Sequence, residues 1–178
     1  EVLLPRAWQQ MHSLTASGGS DKVKYFAGFG YVKQDALYGD TRTNKSTSGF
    51  NRYNARVNID ANIVDKYLNL SADMAYRQED RNSIAGSTSD VFNNMHRNPQ
   101  TDPGRFPDGN LGKVSLGVNP IGLATEGGWV KDRKSVLNTR FMLDFNVPGL
   151  EGLNLKGIFS YDKIFNSIKR WTTPVDFY

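Results

Sequence analysis

At 178 residues the chain is long enough for one sizeable domain, and with 38% hydrophobic and 22% charged residues its composition is that of an ordinary globular protein. It holds no cysteine, which excludes a disulfide scaffold and a thiolate metal site. Its net charge of +4 comes from lysines and arginines scattered without a run of five, so nucleic acid has no footprint here.

No apolar stretch reaches the roughly eighteen residues of a transmembrane helix, which excludes a helical membrane protein. A membrane barrel stays open, because alternating strands never raise the mean hydropathy. Residues 1–6 lack a basic segment followed by a long apolar one. No signal peptide is therefore expected in the chain, which is then cytosolic, already processed, or a piece of something longer.

Period-2 alternation predicts six strands in chain order. A short one covers 12–17. In 22–34, Val23, Tyr25, Ala27, Phe29 and Tyr31 share one face, opposite Lys24, Phe26, Gly28, Gly30 and Val32. In 54–63, Ala55, Val57, Ile59, Ala61 and Ile63 alternate with Arg56, Asn58, Asp60 and Asn62. In 67–77, Leu68, Leu70, Ala72, Met74 and Tyr76 oppose Asn69, Ser71, Asp73 and Arg77. The last two strands cover 137–147 and 153–162, with Leu137, Phe141, Leu143 and Phe145, then Leu155, Phe159 and Tyr161, on their apolar faces.

The joins at 18–21, 64–66 and 148–152 are short, and those at 35–50 and 79–134 are long. In an up-and-down antiparallel meander this puts every tight turn at one end and every long loop at the other, the asymmetry of outer-membrane barrels. The polar faces carry mostly Asn, Ser, Asp and Arg, which suit a wet, hydrogen-bonded interior. Tyr25, Tyr31, Tyr53, Tyr76 and Tyr161 gather near strand ends as an interfacial belt would. Six strands are too few to close a membrane barrel, so the chain reads either as part of a larger barrel or as no membrane barrel.

The 79–134 loop contains the one helical signal, 87–97, with Ser87, Thr88 and Ser89 as candidate caps, Asp90 in the first turn and Asn98-Pro99 as the stop. A run of turns follows, in which 112–118 could form a short extra strand. No cofactor is expected. Asp102, Asp108 and Asn110 could offer oxygens to calcium, but their spacing does not match an EF-hand. His12 and His96 are too far apart in sequence to suggest zinc, and Gly28-Phe29-Gly30 sits mid-strand rather than in a phosphate loop. Glu79-Asp80 and Asp102/Asp108 read as solvated loop charge, so the chain is not expected to be an enzyme.

Residues 12–37, "HSLTASGGSDKVKYFAGFGYVKQDAL", resemble the stretch with which SusC/RagA-type TonB-dependent outer-membrane transporters of Bacteroidetes enter their barrels. "FNRYNARVNIDANIVDKYLNLSADMAYRQ", "RNPQTDPGRFPDGNLG" and "GLNLKGIFSYD" continue the likeness in the same order over nearly the whole chain. The resemblance implies an all-β chain, residues 1–178, forming about six strands of a barrel of about 22, with no plug domain and with 79–134 as a long extracellular loop. It further implies import of glycans or oligopeptides across the bacterial outer membrane, driven through TonB by parts absent from this chain. A SusD-like lipoprotein would form the lid, and lipid would surround the wall.

On that reading Arg56, Asn58, Asp60, Asp73, Arg140 and Asp144 face the lumen, where they line the solute path, touch the plug or pair across strands. Arg97, Arg105, Phe106, Asp108, Asn110 and Trp129 are the candidates for solute contact, by stacking on an aromatic with hydrogen bonds beside it. The plainer reading packs them between loop and wall. The alternative from another class is a soluble β-sandwich binding or adhesion module, which requires Ala55, Val57, Ile59 and Ile63 to be buried against a second layer.

Overall fold

The structure, a computed structural model, describes residues 2–40, 45–150 and 152–178. In chain order the elements are β1 (Gln9–Gly19), β2 (Val23–Asp35), β3 (Gly39–Asp40), β4 (Lys45–Ser46), β5 (Gly49–Val64), β6 (Leu68–Ile84), α1 (Thr88–Arg97), α2 (Pro120–Thr125), β7 (Gly128–Asn146) and β8 (Asn154–Thr172). Six strands form one antiparallel sheet in the order β1-β2-β5-β6-β7-β8, an unbroken meander, while β3 and β4 form a separate two-stranded sheet. The short connections are 20–22, 65–67 and 147–153, and the longer ones, 36–48 and 85–127, lie at the opposite end. Lys66, at a φ of 69°, turns the chain between β5 and β6.

All six expected strands are present, but they run further toward the long connections than alternation predicts. Residues 79–84 and 128–134, expected as loop, belong to β6 and β7, so Glu79 and Asp80 lie on a strand. The ladder explains it: pairing continues without a shift from Gln78↔Ser135 to Ile84↔Trp129, and cross-strand partners override the weak strand preference of Asn, Asp and Lys. The stretch 112–118 is not a strand, and a second helix, α2, stands just after it. Asn119 caps α2 and Pro120 occupies its first turn. The first helix falls where its caps put it, with Ser87 accepting from the Ser89 amide at 3.1 Å.

Register gives the sheet one mostly apolar and one mostly polar face, with Ile158, Ile164 and Ile168 of β8 standing exposed on the polar one. On the apolar face, Ala16, Ala27, Val57, Met74, Thr139 and Tyr161 stand in a single cross-strand row, and Gly18, Tyr25, Ile59, Ala72, Phe141 and Phe159 in another. The Phe141 and Phe159 rings stack at 6.5 Å. Ile63 does not join this face in register, because β5 bulges between Asn62 and Val64.

Toward the long connections the apolar band ends in a row of rings. His12 stacks on Tyr31 at 6.2 Å, and Tyr31 lies 5.1 Å from Tyr53. Tyr76 continues the edge, its hydroxyl hydrogen-bonded to Gln78 Oε1 at 3.0 Å and Ser135 Oγ at 3.2 Å. Beyond it the same face turns polar, with Gln10, Lys33, Asn51, Asp80, Arg133 and Ser167 in one row.

The buried apolar core does not lie on the sheet face. It is a small cluster at the long-connection end, where Val2, Ile84, Val91 and Ala124 are buried and Tyr38, Met95, Ile121 and Leu123 pack round them. Across the band itself the apolar side chains are left open, with Leu14 72% exposed, Phe159 62% and Val57 41%.

Candidate functional site

The polar face carries a connected set of side chains across β5, β6, β7 and β8. Asn58, Asp73, Arg140 and Ser160 stand in register, and Arg56, Ala75, Asn138 and Asp162 form the adjacent row. Arg56 Nε donates to Asn58 Oδ1 at 2.9 Å, Asn58 donates in turn to the Asp73 carboxylate, and Arg140 Nε donates to Asp73 Oδ2 at 2.9 Å. Beside them Asn138 Nδ2 donates to Asp162 Oδ1 at 2.7 Å. A shallow hollow of about 350 Å³ opens over this group. Gly28 and Gly30 face the same side, where a side chain on Gly30 would press on Asn54. The chemistry on offer is recognition: fixed hydrogen-bond donors and acceptors with charge in compensating pairs.

Of the six residues expected on the polar face, four (Arg56, Asn58, Asp73, Arg140) join this network. Asp60 stands nearer the short turns, between Lys24 and Ser71 in register. Asp144 accepts from Asn154, which also donates to Asn146 Oδ1 at 2.9 Å.

Asp80 lies past the ring-lined edge, where Arg133 Nε donates to its Oδ1 at 2.6 Å and Gln78 Nε2 to its Oδ2 at 2.8 Å. Partial burial pushes its pKa up, but these two hydrogen bonds and the Arg133 charge outweigh that and hold it below the usual carboxylate value.

The 85–127 connection is held by amide side chains as well as by its small apolar cluster. Asn119, 1% exposed, accepts from the Ile121 amide at 3.0 Å and donates to the carbonyls of Gly104 at 2.6 Å and Gly112 at 2.8 Å. Asn94 Oδ1 accepts from the Val118 amide at 2.9 Å, and Asn98 Oδ1 from that of Leu116 at 3.2 Å. Asp102 takes both the amide and the hydroxyl of Ser115, each at 2.7 Å. Of these asparagines sequence reasoning singled out Asn98 alone, as the stop of the first helix and not as a tie within the connection. The Asn119-Pro120 pair, a cap followed by a proline suited to a first helical turn, is the signal that marks the most important one.

Four of the residues expected to touch solute sit in one tight turn. Arg105 bridges to Leu111, the Phe106 amide donates to Asn110 O at 2.9 Å, and Asp108 Oδ1 accepts from the Asn110 amide at 3.0 Å. Arg105 is turned inward onto Gly109 O and Glu126. Phe106 is left exposed. Arg97 ends α1, and Trp129 belongs to β7 rather than to a loop, opposite Trp171 with Lys131 Nζ 4.6 Å from its ring centre. The turn therefore gathers Arg105, Phe106, Asp108 and Asn110, while Arg97 and Trp129 stand on separate elements.

The Asp102 carboxylate is engaged with Ser115 and that of Asp108 with Asn110, and among the described residues no three His, Cys, Asp or Glu side chains cluster as metal ligands. No protein-family model matches the chain, and no curated protein matches it.

Proposed function

We propose that this chain is part of the barrel wall of a SusC/RagA-type TonB-dependent transporter of the bacterial outer membrane. One observation carries the reading: a continuous apolar band crosses six neighbouring strands and is left uncovered, with Leu14, Phe29, Val57, Met74, Phe141 and Phe159 between 41% and 72% exposed. In water, so wide an exposed apolar surface is a liability. In a barrel it is the lipid face, its edge marked by a ring belt such as His12, Tyr31, Tyr53 and Tyr76 provide.

The sorting of short turns to one end and long connections to the other supports the same assignment, with the turns periplasmic and the 85–127 cap extracellular. The polar face is then the lumen wall, and Arg56, Asn58, Asp73 and Arg140 stand on the path of a glycan or oligopeptide. A SusD-like lipoprotein covers the mouth above the cap, and TonB acts through parts of the transporter beyond these residues. The soluble-module alternative requires Val57 and Ile59 to be buried against a second layer, and each is 41% exposed.

The test is the intact mass of the native protein in detergent-extracted outer membranes, detected with an antibody raised to residues 99–110. A band several times heavier than the chain, shifting on boiling, is the expected result. A soluble species close to the chain's own mass would sink the proposal.

A further inference from the structure

On the apolar-band side, just past the ring-lined edge, the sheet gathers positive charge. Lys131 and Lys169 lie directly opposite each other on β7 and β8, and Arg133 precedes them on the same face. Like charges in facing positions repel and destabilise a sheet. Among the described residues, only Arg133 of this group has an acidic partner, Asp80. A hollow of about 480 Å³ opens among these side chains, with Asn51, Ser167 and Arg81 and the carboxylates of Asp80 and Asp132 also on its wall.

The aim of the side chains is also one-sided. Lys131 Nζ lies 4.6 Å from the ring centre of Trp129, two pairs further from the band, and Lys163 Nζ lies 4.6 Å from that of Phe165, also away from it. Basic side chains rooted near hydrocarbon reach in this way toward a headgroup layer. Trp129 and Trp171, paired beyond them, add amphipathic rings at the same level.

We propose that Lys131, Lys169 and Arg133 form a clamp for the phosphate of an anionic lipid whose acyl chains lie along the apolar band. The phosphate sits between the two ammonium groups and relieves the repulsion that the bare pair carries. This proposal rests on the barrel reading above, since the acyl chains need the band to face lipid.

The experiment titrates the full-length protein, extracted in detergent, with phosphatidylglycerol and with phosphatidylcholine of identical chains, and counts bound lipid by native mass spectrometry. Phosphatidylglycerol is expected to be retained preferentially. The Lys131→Gln/Lys169→Gln double variant is expected to lose about fivefold in that retention for each lysine removed, and Lys134→Gln, on the opposite face, to lose none. Equal retention of the two lipids, or a double variant like the wild type, overturns the clamp. Displacement of phosphatidylglycerol by equimolar inorganic phosphate also overturns it, since the site then recognises phosphate without the lipid. A nitroxide at Val57 in the same preparation separates the two claims. If it reports lipid while phosphatidylglycerol is not preferred, the clamp alone falls; if it reports water or protein contact, the barrel reading falls with it.

Discussion

Asp73 and Arg140 face each other in register across β6 and β7, and the Asp73 carboxylate accepts from Arg140 on one oxygen and from Asn58 on the other. The Arg140 side chain is 58% exposed and that of Asp73 27%, so water screens the pair. The Asp73→Asn variant is therefore expected to lower stability by less than about 1 kcal/mol. Equilibrium urea unfolding checks this. A loss above about 3 kcal/mol is what a dry, buried pair gives, and it would contradict a wet polar face.

The two faces differ in what they tolerate. Val57→Arg, in the middle of the apolar band, is expected to cost about 2–4 kcal/mol when the protein folds into lipid vesicles, and its neighbour Asn58→Arg close to nothing. Equal small costs at both positions would remove lipid from the apolar side.

Asn119 ties three pieces of the cap, so Asn119→Ala uncaps α2 and leaves the Gly104 and Gly112 carbonyls without their donor. The expected cost is about 2 kcal/mol or more, felt locally. Limited proteolysis should cut 98–118 faster in the variant while the sheet stays protected. An unchanged cleavage rate would show that the cap does not depend on this side chain.

Acid acts on Asp80. Its pKa in the folded chain lies below the usual value of about 3.9, so the stability it contributes is complete above that value and is lost as pH falls through the lower, folded-state value. Between pH 7 and 5 the unfolding midpoint should not respond to this group. Below about pH 4 the wild type should lose stability that Asp80→Asn has already given up, so the two curves converge in acid.

The central half of each strand was legible because alternation there coincides with a change of environment from one face to the other. Past Tyr76 that contrast vanishes: Gln78, Asp80 and Asn82 occupy one side and Arg77, Glu79 and Arg81 the other, so the sequence reads as loop while the backbone goes on pairing. Alternation likewise placed Arg56, Asn58, Asp73 and Arg140 on one face. Which carboxylate meets which guanidinium depends on register, and no single strand carries that. Asn94 and Asn119, and the bond of Asn98 to Leu116, were missed for a related reason: their partners are backbone groups as far as 24 residues away, set by how the connection folds back on itself.

The cap also touches both margins of the sheet. Val2, ahead of edge strand β1, is buried with Ala124 of α2, and Val175 and Phe177, after edge strand β8, close on Gly122 of the same helix. One short helix thus ties the two margins of a six-strand sheet, as a string ties a bow. The margins are held at that end and free to move at the other, so the sheet should breathe like a fan held at one end. Hydrogen exchange is expected to be slow in the strand ends beside the cap, at Ser83 and Val130, and fast next to the 20–22 and 65–67 turns. The reverse gradient would mean that the tie carries no tension.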